Sequence, residues 1–411
     1  LGENLYGWEK IFMAIVVIGT LDTKGAELDF VRQTLQNYGH SVILIDASVL
    51  GSSPISSDIS PAEVFAAAGV SLNAVQAQND RGRAVELAAK GVAQIVSNLH
   101  KKGEVSGILG LGGSAGTTIA TAGMRTLPLG IPKLMVSTLA SGPVQGWVDV
   151  KDILMMPAIS DFCGLNRISR QILLNATAAL SGMVSQQPIE FSTDRPIIVA
   201  SMFGVTTPCV EQARRLLDAA GYEVVVFHAT GVGGRTMESL IRDGVVAGVL
   251  DITTTELADE LVGGILSAGR DRLTAAALKG IPQVISVGAL DMVNFGPLNT
   301  VPEKFAQRRF HVHNPMVTLM RTTPEENDEL GKEIAHKACA SRGPTAVLLP
   351  KGGISAIDKI GGPFWWPEAD QALFQSLRNW SSTTLKIHES EAHINDPEFA
   401  QLAAETLLKM F

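Results

Sequence analysis

A short β-branched run, a turn rich in Gly, Ser and Thr, and an amphipathic segment follow one another repeatedly along the chain. Residues 14–18 read as a strand and 19–25 as its turn; Leu28, Val31, Leu35 and Tyr38 then share one helical face, which Gly39 closes. Residues 41–45 give the next strand, and Val85, Ala88, Val92, Ile95 and Leu99 the next helical face. Strands follow at 107–111, 133–137 and 153–156, then a helix carrying Ile168, Ile172, Ala176, Ala179 and Met183. Strands apolar on both faces and separated by helices build parallel sheets, because a parallel connection needs a crossover long enough to cover a face. The expected fold is α/β, with two Rossmann-like doubly wound domains and mostly parallel sheets.

The apolar periodicity lapses over 185–196, where Gln, Pro, Ser and Asp take over, and restarts with strands at 197–201, 223–227, 245–250, 283–287 and 345–349. The break divides the chain into an N-terminal nucleotide-binding domain, 13–186, and a C-terminal domain, 187–411. Glu3-Asn4-Leu5-Tyr6 resembles the start of a tag-protease site, so residues 1–12 read as a tag remnant. The 411 residues carry 33 Lys and Arg against 41 Asp and Glu, a formal net charge of −8, with no clustered basic face for nucleic acid. Cys163, Cys209 and Cys339 are too few and scattered for a disulfide framework or a zinc cluster. No apolar run approaches the roughly 18 residues that cross a membrane. A cytoplasmic protein without nucleic-acid or membrane partners is the expectation.

Doubly wound sheets bind ligands at the carboxyl ends of their strands, so the strand-to-helix turns are where chemistry belongs. In Gly19-Thr20-Leu21-Asp22-Thr23-Lys24-Gly25, Gly19 permits close approach, Thr20 and Thr23 offer hydroxyls and Lys24 a charge suited to phosphate. Asp22 either faces the ligand or caps the helix. Gly112-Gly113-Ser114-Ala115-Gly116-Thr117 follows a strand and opens a helix, leaving successive N–H groups to wrap an anion. It has neither the ending of a Walker loop nor the spacing of a dinucleotide fingerprint, and a tight turn that needs Gly for packing is the alternative. Ser137, Thr138, Ser141 and Gly142 form a third turn, and Asp46 ends a strand where an acid commonly accepts ribose hydroxyls. Together these turns describe a nucleotide site in the N-terminal domain.

The C-terminal domain repeats the layout. His228, Thr230, Gly231, Gly233, Gly234 and Arg235 sit in one strand-to-helix turn, where Arg235 could clamp a carboxylate or phosphate. Thr255 and Glu256 follow a strand, Thr255 either as a helix cap or as part of a site. Asp291, Lys351 and Ser355 complete the ring. His228, Glu256 and Asp291 are the candidate acid–base groups, although His228 reads equally as a hydrogen-bonded structural residue. Thr230, Gly231, Gly233, Gly234, Arg235, Lys351 and Ser355 are the candidate substrate binders. His311 and His313 lack the companion ligands of a zinc motif, so no protein metal site is expected. Cys209 has no base beside it in sequence and reads as inert.

Longer strings carry a family resemblance: the two N-terminal Gly turns, Met202-Phe203-Gly204-Val205-Thr206-Thr207-Pro208-Cys209, Gly288-Ala289-Leu290-Asp291-Met292-Val293-Asn294-Phe295, and Val312-His313-Asn314-Pro315 running on to Leu319-Met320-Arg321-Thr322-Thr323-Pro324-Glu325-Glu326-Asn327. On these, residues 13–411 resemble the ATP-binding family named after the tomato mosaic virus resistance protein. The resemblance implies two Rossmann-like domains, ATP bound in the first, and a homodimer; Mg²⁺ would accompany the phosphates. It supplies no substrate. The expected function is that of an ATP-binding metabolic enzyme acting on a small anionic molecule at the cleft between the domains. The alternative is a non-enzymatic, nucleotide-dependent regulatory or protein-binding module. A nicotinamide-dependent dehydrogenase shares the fold but needs a regular fingerprint that this chain lacks.

Overall fold

Along β1 (Ala14–Gly19), Val16 and Ile18 enter one apolar core while Ile15 and Val17 enter another, and all four are fully buried. Alternation into two cores is what a central strand with helices on both faces requires. In this computed structural model, which describes residues 13–49, 53–186 and 195–411, β1 is joined in parallel by β2 (Val42–Asp46), β3 (Val105–Gly112), β4 (Lys133–Ser137) and β5 (Leu154–Pro157). The tag-remnant reading of residues 1–12 lies outside the described residues. The strand order is β2-β1-β3-β4-β5. The chain leaves β1 outward to β2 and then crosses back to β3, so the carboxyl ends of β1 and β3 diverge into a crevice.

Contacts divide the chain into two units, Leu1–Ile189 and Glu190–Phe411. The second contains β6 (Ile197–Met202), β7 (Glu223–His228), β8 (Gly248–Thr253) and β9 (Gln283–Gly288), then β10 (Met292–Phe295), β11 (Phe310–Asn314) and β12 (Val317–Arg321), and finally β13 (Thr345–Pro350) and β14 (Lys386–Ser390). Six of these form a parallel sheet, β14-β13-β9-β8-β6-β7, whose switch point lies between β6 and β8. The α/β expectation of two doubly wound parallel sheets therefore holds, and both sheets start with the same order.

The remaining three strands form an antiparallel sheet, β10-β12-β11, absent from the sequence reading. That reading also missed β14 and the helices Pro61–Ala67, Leu72–Gln78 and Pro367–Trp380. The strand expected at 245–250 is β8, three residues further on, and Val245 stays exposed ahead of it. Tyr38 falls past the last turn of helix Leu21–Asn37 and is exposed, while Gly39 takes the positive φ that closes it.

Helix Arg81–Lys101 packs on helix Pro61–Ala67 at Gly91, where an added Cβ would come 1.9 Å from the Val64 carbonyl oxygen. Alanine gains about 1 kcal/mol in helix propensity. Overpacking costs about 1–3 kcal/mol, and no rotamer relieves a clash with backbone. Gly91→Ala is therefore expected to destabilise the N-terminal unit by about 1–2 kcal/mol in urea denaturation; a stabilised variant would contradict this packing.

Candidate functional site

The crevice between β1 and β3 is a cavity of about 450 Å³, within the roughly 300–1,000 Å³ of small-molecule sites. Three segments line its polar end: Thr20, Asp22, Thr23 and Lys24 after β1, Gly112–Gly116 after β3, and Asn79, Asp80 and Arg81 between two helices. Ala47, Val49, Val75, Ala84, Val85 and Ile119 give it an apolar wall. The lining thus joins charge-binding groups to an apolar surface.

The two Gly turns at this cavity differ in one decisive respect. At the first, helix Leu21–Asn37 is already capped by the protein: Leu21 N donates to Asp46 Oδ1 (3.1 Å) and Asp22 N to Ser48 Oγ (3.0 Å). Thr23 N and Lys24 N donate to the Thr20 carbonyl. Asp46 also accepts from the Ser48 amide and hydroxyl and is almost fully buried. Its observed work is to cap this helix, and it does not line the cavity.

At the second turn, helix Ser114–Met124 has Gly113 at its N-cap and no side chain among the described residues bonded there. The first intrahelical donor is Thr117 N, to the Gly113 carbonyl at 2.8 Å. The amides of Ser114, Ala115 and Gly116 thus stand in the first turn, where a helix has no acceptors of its own, and these residues line the cavity. Gly112 is a packing requirement, since a Cβ there would meet Gly116 Cα at 2.8 Å. Gly113 is not: its φ is −83°, and a Cβ would meet only Thr138 Oγ1 at 3.6 Å.

Of the N-terminal candidates, Thr20, Asp22, Thr23, Lys24, Gly112, Gly113, Ser114 and Gly116 line the cavity, whereas Gly19, Asp46, Thr117, Ser137, Thr138, Ser141 and Gly142 do not. Thr117 and Ser137 are fully buried and hydrogen-bonded to each other at 2.7 Å, which fixes the turn from beneath. The wall from Val75 to Val85 was missed. Its helices announce themselves through capping residues: Ser60 with Pro61 and Glu63 in a capping box, Ser71, and Asp80.

The corresponding switch point of the C-terminal unit is filled by the protein. Ser201 Oγ donates to Asp251 Oδ1 (2.6 Å) and accepts from Thr253 N (2.9 Å), and Thr206 bonds Thr253 at 2.7 Å, all of them buried. The Gly turn after β7 is also occupied. Glu256 Oε1 accepts from Gly231 N (2.6 Å) and Gly234 N (3.0 Å), so the anion at the N-terminus of helix Val232–Asp243 is a side chain. Glycine is needed at Gly234, where a Cβ would lie 2.0 Å from Glu256 Oε2, and at Gly233, 1.8 Å from the His228 carbonyl oxygen.

Glu256 in turn belongs to a network around Arg272, whose side chain is fully buried. Arg272 pairs bidentately with Asp251 (2.5 and 2.6 Å), through Nε with Glu256 (2.7 Å), and with Glu238 at 3.4 Å. Burial holds the Glu238 carboxyl above its usual range against the pull of Arg272. Nearby, burial pushes Asp259 up to about 7 despite hydrogen bonds from Asn294 and Leu266. Thr255 does not cap helix Thr255–Val262; Thr254 holds that position, and its hydroxyl donates to the Ser286 carbonyl rather than capping the helix.

A second network gathers Asp291, Ser355, Asp358, Asp370 and Arg321. Asp291 is fully buried and accepts from Ser355 Oγ at 2.8 Å. His228 is exposed at the end of β7, its ring edge-on to Phe203. His228, Glu256 and Asp291 share no hydrogen-bonding partner among the described residues. Thr230 bonds the His228 carbonyl, Arg235 sits half-buried in the first turn of helix Val232–Asp243, and Lys351 pairs with Glu391. Burial pushes the Cys209 thiol up to about 12, as its inert reading requires. No helix among the described residues is long and apolar enough to cross a membrane.

Residues 13–188 match the N-terminal domain, and residues 195–411 the C-terminal domain, of the uncharacterised protein family UPF0261. A UPF0261 protein of Clostridium tetani is 49% identical over 397 residues, covering 96% of this chain and 98% of that protein. The ToMV resistance protein of Solanum lycopersicum is 39% identical over 418 residues, 96% of this chain and 55% of the tomato protein. Among solved structures, UDP-N-acetylglucosamine 2-epimerase from Rickettsia bellii aligns with 97% of this chain and 96% of that chain at 9% identity, with a TM-score of 0.24, too low to carry an argument. The chain belongs to the uncharacterised protein family UPF0261.

Proposed function

We propose that the N-terminal unit binds ATP with Mg²⁺ in the crevice between β1 and β3. One observation carries the reading: the first turn of helix Ser114–Met124 lines the cavity, and no acceptor among the described residues takes its amides. The phosphates would sit on the amides of Ser114, Ala115 and Gly116, where the helix dipole adds to the hydrogen bonds. Lys24 would neutralise phosphate charge from the facing turn, and the Ser114 and Thr20 hydroxyls would donate to it. The wall of Val49, Val75, Val85 and Ile119 suits a purine face. Mg²⁺, held chiefly by the phosphates, would take a carboxylate from Asp22 or Asp80 and offset charge during transfer. In the enzymatic form of the proposal this nucleotide serves a reaction on a small anionic metabolite.

A regulatory role without turnover has its own support, because two of the three candidate acid–base groups are committed internally. Glu256 caps a helix and pairs with Arg272, and Asp291 is fully buried. Calorimetric titration of Mg·ATP into wild type and Lys24→Ala, with ADP read in the same samples, tests both. Saturable binding is expected in wild type and a loss of about 10–100-fold in the variant, the worth of one charge-assisted contact. Accumulating ADP supports the enzyme, and binding without ADP supports the regulatory module. Absence of binding contradicts the ATP assignment.

A further inference from the structure

We propose that Asp291, Asp358 and Asp370, gathered around Arg321, form a proton-operated latch on the segment 351–366, closed while the cluster holds a proton and released when that proton leaves. The cluster joins elements far apart in sequence. Asp291 follows β9, Arg321 ends β12, Asp358 lies in the long connection after β13, and Asp370 in helix Pro367–Trp380. One guanidinium therefore faces three carboxyl groups, and Asp291, Asp358 and Arg321 are at most 1% exposed.

Arg321 cannot satisfy all three. Its Nη2 donates to Asp370 Oδ1 at 2.6 Å and stands 3.8 Å from Asp358 Oδ1, while Nε goes to the Phe364 carbonyl and Nη1 to Thr322 Oγ1. Asp291 Oδ2 accepts from the Ser355 hydroxyl at 2.8 Å, and Asp358 Oδ2 from the Ile354 amide at 3.1 Å. Asp291 Oδ1 and Asp358 Oδ1 are both buried with no hydrogen-bond donor among the described residues. A buried carboxylate oxygen without a donor is costly, and a proton on the cluster removes the charge and supplies the missing donor.

Two further charged or titratable groups reach the cluster. His393 accepts from the Asn395 amide at Nδ1 (3.1 Å) and donates from Nε2 to the Ser355 carbonyl (2.8 Å), and its pull on Asp358, like that of Arg321, does not offset burial. Arg309 is spent on the Trp365 carbonyl and the face of Trp366. Burial and neighbouring aspartates hold Asp291 up at about 7 and Asp370 at about 8, with Arg321 opposing, and burial raises Asp358 as well.

The sign follows. A carboxyl whose folded value is raised favours the closed state fully below its open-state value of about 4, and that preference is lost as pH climbs from there to the folded value, here about 7 to 8, and is level above it. The latch ties 351–366 down through Ser355, Ile354, Phe364 and Asp358 itself, over the carboxyl edge of the second sheet. Opening would uncover Asp291.

Hydrogen exchange of peptides spanning 351–366, corrected for intrinsic rates, tests the latch from about pH 5 to pH 9. Wild-type protection is expected to fall by up to about tenfold per pH unit across the transition, confined to this segment and its contacts. Asp291→Asn and Asp358→Asn, which keep a neutral donor at every pH, are expected to flatten the curve. Infrared spectra should show a protonated-carboxyl band at about pH 6 that is lost by about pH 9 and is weaker in either variant. Flat wild-type protection, no such band, a fall shared by the whole C-terminal unit, or an unchanged fall in the variants would overturn the latch. Should neither variant fold, the wild-type curve and band still decide.

Discussion

Arg272→Met is expected to cost the C-terminal unit about 3–5 kcal/mol or more, because it leaves Asp251, Glu256 and Glu238 buried with no cation among them. Against total stabilities of about 5–15 kcal/mol, that is enough to unfold much of the population. The deficit should be smaller near pH 5 than near pH 8, since protonation is the only relief open to the stranded carboxyls. Urea denaturation followed at both pH values reads the effect. Arg272→Lys should rescue little, because an ammonium cannot bond Asp251 bidentately while reaching Glu256. A Met variant within about 1 kcal/mol of wild type would show that the network contributes nothing.

Gly113→Asp should move stability and binding in opposite directions. The position has an ordinary φ and room for a side chain, so the substitution is not strained. An aspartate there would cap helix Ser114–Met124 and complement its dipole, stabilising the unit by about 0.3–1 kcal/mol. The same carboxylate would occupy the amides proposed for phosphate and repel it, a loss of several kcal/mol or at least about 100-fold in affinity. Thermal unfolding with calorimetric titration reads both. A variant that binds as wild type does would mean that these amides are not the phosphate site.

Much of the architecture was legible because a buried parallel strand writes itself as a continuous apolar run, and β1 and β4 do so plainly. The antiparallel sheet was not: β10 is four residues long, and β11 loses its register between Val312 and Asn314. At the sites, the pattern of a Gly turn is blind to the identity of the anion it wraps. Gly112–Gly116 and Gly231–Gly234 read alike, yet the second holds Glu256, 22 residues beyond Gly234, and the first holds no acceptor among the described residues. Asp46 is ambiguous for the same reason. An acid ending a strand serves a ribose or a helix N-terminus equally well, and here it receives the Leu21 amide. Only the tertiary partner distinguishes these cases.

In the proposed complex, the amides of Ser114, Ala115 and Gly116 receive the phosphates of a nucleotide. Hydrogen exchange at those residues, measured with and without saturating Mg·ATP, tests it most directly. The expected result is added protection in peptides covering 110–120 and 20–25, with inorganic phosphate giving a weaker version at the first segment alone. Saturating ATP that leaves 110–120 unchanged would mean that these amides do not hold the nucleotide, whatever else the protein binds.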